Sequence, residues 1–124
     1  MDNIKRFNKC AKHLYKDLLE IYPDESIIVL AQTAFKLFKA YDKTGPCKYY
    51  YTELILKYKS EIENKNSSFF IDGKMQFPYF AASTERLIAL WKTLDPQSQE
   101  AIWDHLNVLL HISNQEYCND PSLN

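Results

Sequence analysis

The stretch NIKRFNKCAKHLYKDLLEIY, residues 3–22, decides the fold class. Its apolar side chains Ile4, Phe7, Ala11, Leu14, Leu18 and Ile21 recur at intervals of three and four residues, which places them on one stripe of an α-helix. Pro23 stops that helix, because a proline interior to a helix loses a hydrogen bond and clashes with the preceding turn.

The same rhythm continues downstream. A second helix, capped by Asp24 or Ser26, runs to about Asp42 with Ile27, Ala31, Ala34, Phe38 and Tyr41 on its stripe. Leu30, Phe35 and Leu37 widen its apolar surface, which predicts a central position, and Ala31 and Ala34 predict close approach by a neighbour. Gly45 and Pro46 read as its C-terminal stop. The third helix spans about Cys47 to Glu63, with Tyr51, Leu54, Ile55, Tyr58 and Ile62 inward. A fourth covers about Ser83 to Leu94 through Leu87, Ile88, Trp91 and Leu94. Asp95-Pro96 is a start signal for the fifth, an oxygen cap followed by proline at the first helical position. That helix carries Ile102, Leu106, Leu109 and Leu110 and is expected to end near Ser113. Trp91 and Trp103 are expected to hold the last two helices to the body.

The segment Phe69 to Phe77 is the one non-helical pattern. Asp72-Gly73 between apolar runs signals a type I′ hairpin; the alternative is an irregular aromatic loop. The expected architecture is an all-α, single-domain bundle of about five helices over residues 1–113, with a polar, loosely held tail over 114–124.

Composition narrows the function classes. The chain has 124 residues and a formal net charge of −1, which gives no whole-chain argument for nucleic acid. Its 46% hydrophobic fraction excludes a disordered chain. Two glycines are too few for a phosphate-cradling loop, and no apolar run is long enough to span a bilayer. Met1 to Arg6 lacks the apolar core of a secretory signal, so a reducing intracellular setting is expected. Cys10, Cys47 and Cys118 are scattered and odd in number, which predicts free thiols and no metal site.

Catalytic constellations are equally sparse. Asp104 and His105 are neighbours and diverge by about 100° on a helix. His105 and His111 miss the spacing for shared metal ligation, and Cys10 and His13, three apart, lack an orienting third group. No enzyme, no cofactor and no small-molecule substrate is expected.

Three stretches together resemble a known family. They are Leu18-Leu19-Glu20-Ile21-Tyr22-Pro23-Asp24, then Glu61-Ile62-Glu63-Asn64-Lys65-Asn66-Ser67-Ser68-Phe69-Phe70, then Leu90-Trp91 leading to Ala101-Ile102-Trp103-Asp104-His105-Leu106. Their order is similar to that of short all-helical proteins of the giant, nucleocytoplasmic large DNA viruses of protists. Ser67 and Ser68 stand where that family has acidic residues. The resemblance implies a viral protein of the host cytoplasm or viral factory, or one packaged in virions, and implies no reaction.

Two surfaces carry the functional expectation. The first is the aromatic segment Phe69, Phe70, Phe77, Tyr79 and Phe80, too many rings for a short segment to bury alone, which predicts docking onto a protein partner or a homodimer. The second, an alternative, is the face Lys5, Lys9, Lys12 and Lys16, spaced 4, 3, 4, which predicts weak sequence-independent nucleic-acid binding. Charge is also asymmetric: residues 1–45 hold eight Lys and Arg against six Asp and Glu, whereas Asp95 to Asn124 hold five acids and no Lys or Arg.

Overall fold

Helix α1, Asn3–Ile21, opens the fold of the computed structural model, which describes residues 2–71 and 84–124. Asp2 caps it, its carboxylate accepting from the Ile4 amide at 2.8 Å. Ile4, Phe7, Ala11 and Leu14 are buried, as their spacing requires, while Ile21 at the far end of the stripe is exposed. The buried stripe lies along α7, Pro96–Tyr117, the longest helix. Asp95 caps α7 through the Ser98 amide at 2.7 Å, and Pro96 occupies its first turn. Ile102, Trp103, Leu106, Leu109, Leu110 and Ile112 of α7 form the centre of the core.

Between them run α2, Ser26–Tyr41; α3, Gly45–Tyr50; a π-helical segment, Tyr51–Ile55; α4, Leu56–Glu63; α5, Ser68–Ile71; and α6, Thr84–Thr93. The all-α bundle is therefore shown, and no strand occurs among the described residues.

Four local expectations are corrected. The third helix is continuous in sequence but not in geometry: the π turn and a non-helical Tyr58 (φ −133°, ψ 21°) break it. An inserted π turn shifts the register of a helix face. Tyr51, Leu54 and Ile55 are buried before the break and Ile62 after it, with Tyr58 only half-buried.

Gly45 does not cap α2. Asp42 ends that helix, its carboxylate accepting from the Thr44 amide at 3.0 Å and the Thr44 hydroxyl at 2.8 Å. Gly45 opens α3, and a Cβ there would fall on Cε1 of the Phe38 ring. Glycine is needed because a ring occupies the place of a side chain.

Phe69, Phe70 and Ile71 form one helical turn rather than the first strand of a hairpin. The remainder of the expected hairpin lies outside the described residues. The turn is set by a left-handed cap. Lys65 takes φ 52°, the Lys65 amide donates to the Ile62 carbonyl, and the Asn66 amide donates to the Glu61 carbonyl. This is the paired closure that ends many helices, made here without glycine. Lys65 then reaches Glu100 and Asp104 of α7.

The C-terminal residues are not a loose tail. Helix α7 continues past Ser113 to Tyr117, whose ring lies 5.7 Å from that of Tyr51. Asn124 accepts from the Tyr51 hydroxyl at 2.5 Å and donates to the Tyr117 carbonyl at 2.9 Å.

Candidate functional site

Helix α2 is apolar over about half of its circumference, with Gln32, Thr33, Lys36 and Lys39 on the remainder, and it packs mainly against α1 and α3. At about 100° per residue, Ile27, Ile28, Ala31, Phe35 and Phe38 occupy one half of the helix and face inward. Leu30, Ala34, Leu37 and Tyr41 fall within about 60° of one another on the adjoining part of the helix, its centre about 100° round from that of the inward set. Leu37 is 67% exposed, Tyr41 91%, Leu30 49% and the flanking Val29 44%. The expectation of a central α2 is thus overturned. The side chains that widened its apolar surface meet water.

The spacing of the outer stripe is 4, 3, 4, the seam spacing of paired helices. Its ends and middle also differ in size. If a second α2 lies antiparallel on it, with the two-fold axis between Phe35 and Lys36, then Ala34 meets Leu37 of the copy and Leu30 meets Tyr41. Each large side chain faces a smaller one. The positions flanking the seam, Ala31, Thr33, Phe38 and Ala40, carry no charge, so no like-charge repulsion opposes the pairing. Antiparallel alignment also opposes the two helix dipoles favourably.

Behind α2 lies a cavity of about 180 Å³. Its wall includes Ile28, Ala31, Phe35 and Phe38 of α2, Leu14 and Tyr15 of α1, and apolar side chains of α6 and α7. Ala31 and Ala34 both line this cavity. Nothing in the sequence marks it, because a cavity is a property of the packed helices and not of one of them.

The residues expected to dock a partner are placed otherwise. Phe69 is fully buried against Tyr58, Phe70 and Trp103. Phe70 is half-buried and lies between Trp91 and Trp103. Both rings belong to the core, because the one-turn α5 aims them between α6 and α7. Phe77, Tyr79 and Phe80 lie outside the described residues.

Lys5, Lys9, Lys12 and Lys16 are all exposed along α1 and make no ion pair among the described residues. Asp17, next to them, is taken up by His105 at 3.0 Å. Neither of the two histidine pairings considered from the sequence, Asp104 with His105 and Cys10 with His13, is brought together. Asp104 turns to Lys65 while His105 turns to Asp17. Cys10 packs against the core while His13 is exposed, and no hydrogen bond joins them among the described residues. Burial pushes the Cys47 thiol up to about 12, with the Glu116 charge adding to the shift, so it stays protonated. Among the described residues no three His, Cys, Asp or Glu side chains are grouped to hold a metal, and no helix is long and apolar enough to cross a membrane.

Compared with known protein families, with curated proteins and with solved structures, the chain matches none of them.

Proposed function

We propose that this protein is a non-enzymatic interaction component that pairs with a second copy of itself through the outer face of α2. The observation that carries the reading is the self-complementary stripe Leu30, Ala34, Leu37 and Tyr41, whose three large side chains are exposed while Ala34 is half-buried. Of the aromatic segment, Phe69 and Phe70 pack with the core, which supports α2 over those two rings as the pairing surface. The resemblance to giant-virus proteins supports a setting in the host cytoplasm or viral factory, where a small self-associating helical protein would serve as a structural part.

The contact is small. A helix of 16 residues is about 24 Å long and about 10 Å wide, so pairing covers on the order of 250 Å² on each copy. A standard interface covers about 800 Å² per partner. The dimer is accordingly weak and concentration-dependent.

Sedimentation velocity over a wide concentration series tests this. The mass is expected to rise from monomer toward dimer in the wild type and to stay monomeric in Leu37→Glu and in Leu30→Glu, with unchanged circular dichroism. A wild type that stays monomeric throughout overturns the reading. A titration with duplex DNA at two salt concentrations is the parallel control for the lysine face; salt-sensitive binding that Lys9→Glu and Lys12→Glu abolish would favour the nucleic-acid alternative.

A further inference from the structure

Helices α1 and α2 build a second surface together. They run antiparallel. The Tyr15 ring lies 5.5 Å from that of Phe35, the Asn8 side-chain amide donates to the Lys43 carbonyl at 3.0 Å, and Leu18 and Leu19 pack with Ile27 and Ile28 toward the connecting turn. On α1, Lys5, Lys9, Lys12 and Lys16 centre about 80° round from Asn8 and Tyr15, the side that meets α2. The buried stripe that meets α7 lies about 70° round in the opposite sense. On α2, Lys39 and Lys36 lie about 40° and 100° round from Phe35, in the sense opposite to Phe38, which meets Tyr49 of α3. Antiparallel helices wind in opposite senses when viewed from one end, so rotation in one sense from their contact brings both lysine sets to the same side. That side faces away from α3 and α7.

The two rows interleave. Counted from the Tyr15–Phe35 contact, Lys36 is level with the gap between Lys12 and Lys16, and Lys39 with that between Lys9 and Lys12. Lys43 is level with the gap between Lys5 and Lys9, and its backbone is tied there by Asn8. Lys39 holds its Nζ 5.5 Å from the centre of the Phe35 ring, at the seam between the helices. The other lysines of both rows are exposed. None of them makes an ion pair among the described residues. No acid occurs between Lys5 and Lys16 or between Ser26 and Tyr41, and residues 72–83 carry one acid, Asp72, and one base, Lys74. Nothing in those stretches neutralises the rows, and clustered charge of one sign concentrates a polyanion.

The shape of the surface selects among polyanions. The α1 row is about 17 Å long and the two rows are about 8–10 Å apart. Duplex nucleic acid presents one phosphate charge per about 1.7 Å of axis, so that length runs beside about ten. A single strand needs exposed rings on which bases stack. Here Tyr15 and Phe35 lie at the helix contact beneath the lysines. A membrane surface takes up an apolar face beside the charges. Leu30, Leu37 and Tyr41 centre about 150° round α2 from Lys36 and Lys39.

We propose that the paired lysine rows of α1 and α2 hold double-stranded nucleic acid by its phosphates. Lysine is a point charge without the fork that reads base edges, so the contact is blind to sequence. Lys36, Lys39 and Lys43 nearly double the charge that the α1 face offers alone. The surface lies apart from the outer stripe of α2, so duplex binding and self-association stand or fall separately.

Fluorescence anisotropy of a short labelled DNA duplex, titrated with the intact protein over a salt series, tests this. Affinity is expected to fall about a thousandfold between about 50 and 200 mM salt, as for about six phosphate contacts, and to be equal for unrelated sequences. Lys36→Gln and Lys39→Gln on α2 should each weaken binding and lessen the slope of log affinity against log salt by about 1, as Lys9→Gln and Lys12→Gln on α1 do. Lys59→Gln on α4 should change neither. Leu37→Gln, which removes an apolar side chain of the outer stripe without adding charge, should bind the duplex as the wild type does. Absence of salt-sensitive binding by the wild type overturns the proposal. So do α2 variants that bind undiminished, tighter binding of an oligothymidylate of the same length, or capture by phosphatidylserine vesicles in preference to the duplex.

Discussion

Phe70 lies flat on Trp91, their ring centres 4.0 Å apart and their planes inclined by 15°. Trp103 meets both rings edge-on, at 5.0 Å from Phe70 and 5.4 Å from Trp91. One ring each from α5, α6 and α7 thus makes a three-way aromatic joint. Phe69 backs it, 6.3 Å from Trp103. The joint ties α6 to the body and bounds one end of the cavity behind α2, whose wall includes Phe70 and Trp91.

Phe70→Ala removes the ring that both tryptophans contact. It is expected to cost about 3 kcal/mol, at the low end for a phenylalanine truncation because the ring is only half-buried. Denaturant unfolding followed by tryptophan emission measures this, with a red shift of the native spectrum as a second readout. An unchanged midpoint would mean that Phe70 serves a surface and not the core.

Gly45→Ala places a methyl group against the Phe38 ring. Overpacking of this kind costs about 1–3 kcal/mol. Phe38→Leu removes the obstructing ring, so Gly45→Ala added to it should be neutral or stabilising, alanine being the better helix former. A double-mutant cycle in urea reads the coupling; additive effects would show that the two positions do not meet.

Carboxylates fix the acid limit of stability. Asp95 is held below the ordinary aspartate range by hydrogen bonds from Ser98, Asp42 by those from Thr44, Asp120 by those from Ser122 and Glu25 by Arg86. A depressed folded-state pKa stabilises the protein above the unfolded value, near pH 4, and that stability is lost as pH falls through the folded value. Asp95→Ala should lower the melting temperature at pH 7 through loss of the cap on α7. Its gap from the wild type should shrink as pH falls from about 5 toward about 2. A gap that is constant with pH would show that the cap carries no charge-dependent component.

Much of the fold was legible because helix burial follows a local period. Ile4, Phe7, Ala11 and Leu14 are buried as their spacing demands, and Asp95-Pro96 starts α7 where an oxygen cap and a proline must. The breaks were less legible. Lys65 ends α4 in a left-handed conformation without the glycine that normally announces one, and the π turn over Tyr51–Ile55 leaves no mark in composition. The inward placement of Phe69 and Phe70 was illegible for a related reason. Five aromatic residues between positions 69 and 80 read as an excess to be shown to a partner, but aromatic content does not state which helices stand nearby to cover a ring.

The sequence by itself determined that this chain is an all-α bundle, where most helices begin, and that α1 is amphipathic, since each rests on contacts within a few residues. Tertiary structure alone decided that Phe69 and Phe70 go inward and that Leu37 and Tyr41 stay outside. An apolar stripe wants burial on any face. Only the arrangement of the other helices determines which of α2's apolar side chains the chain itself covers and which stay exposed.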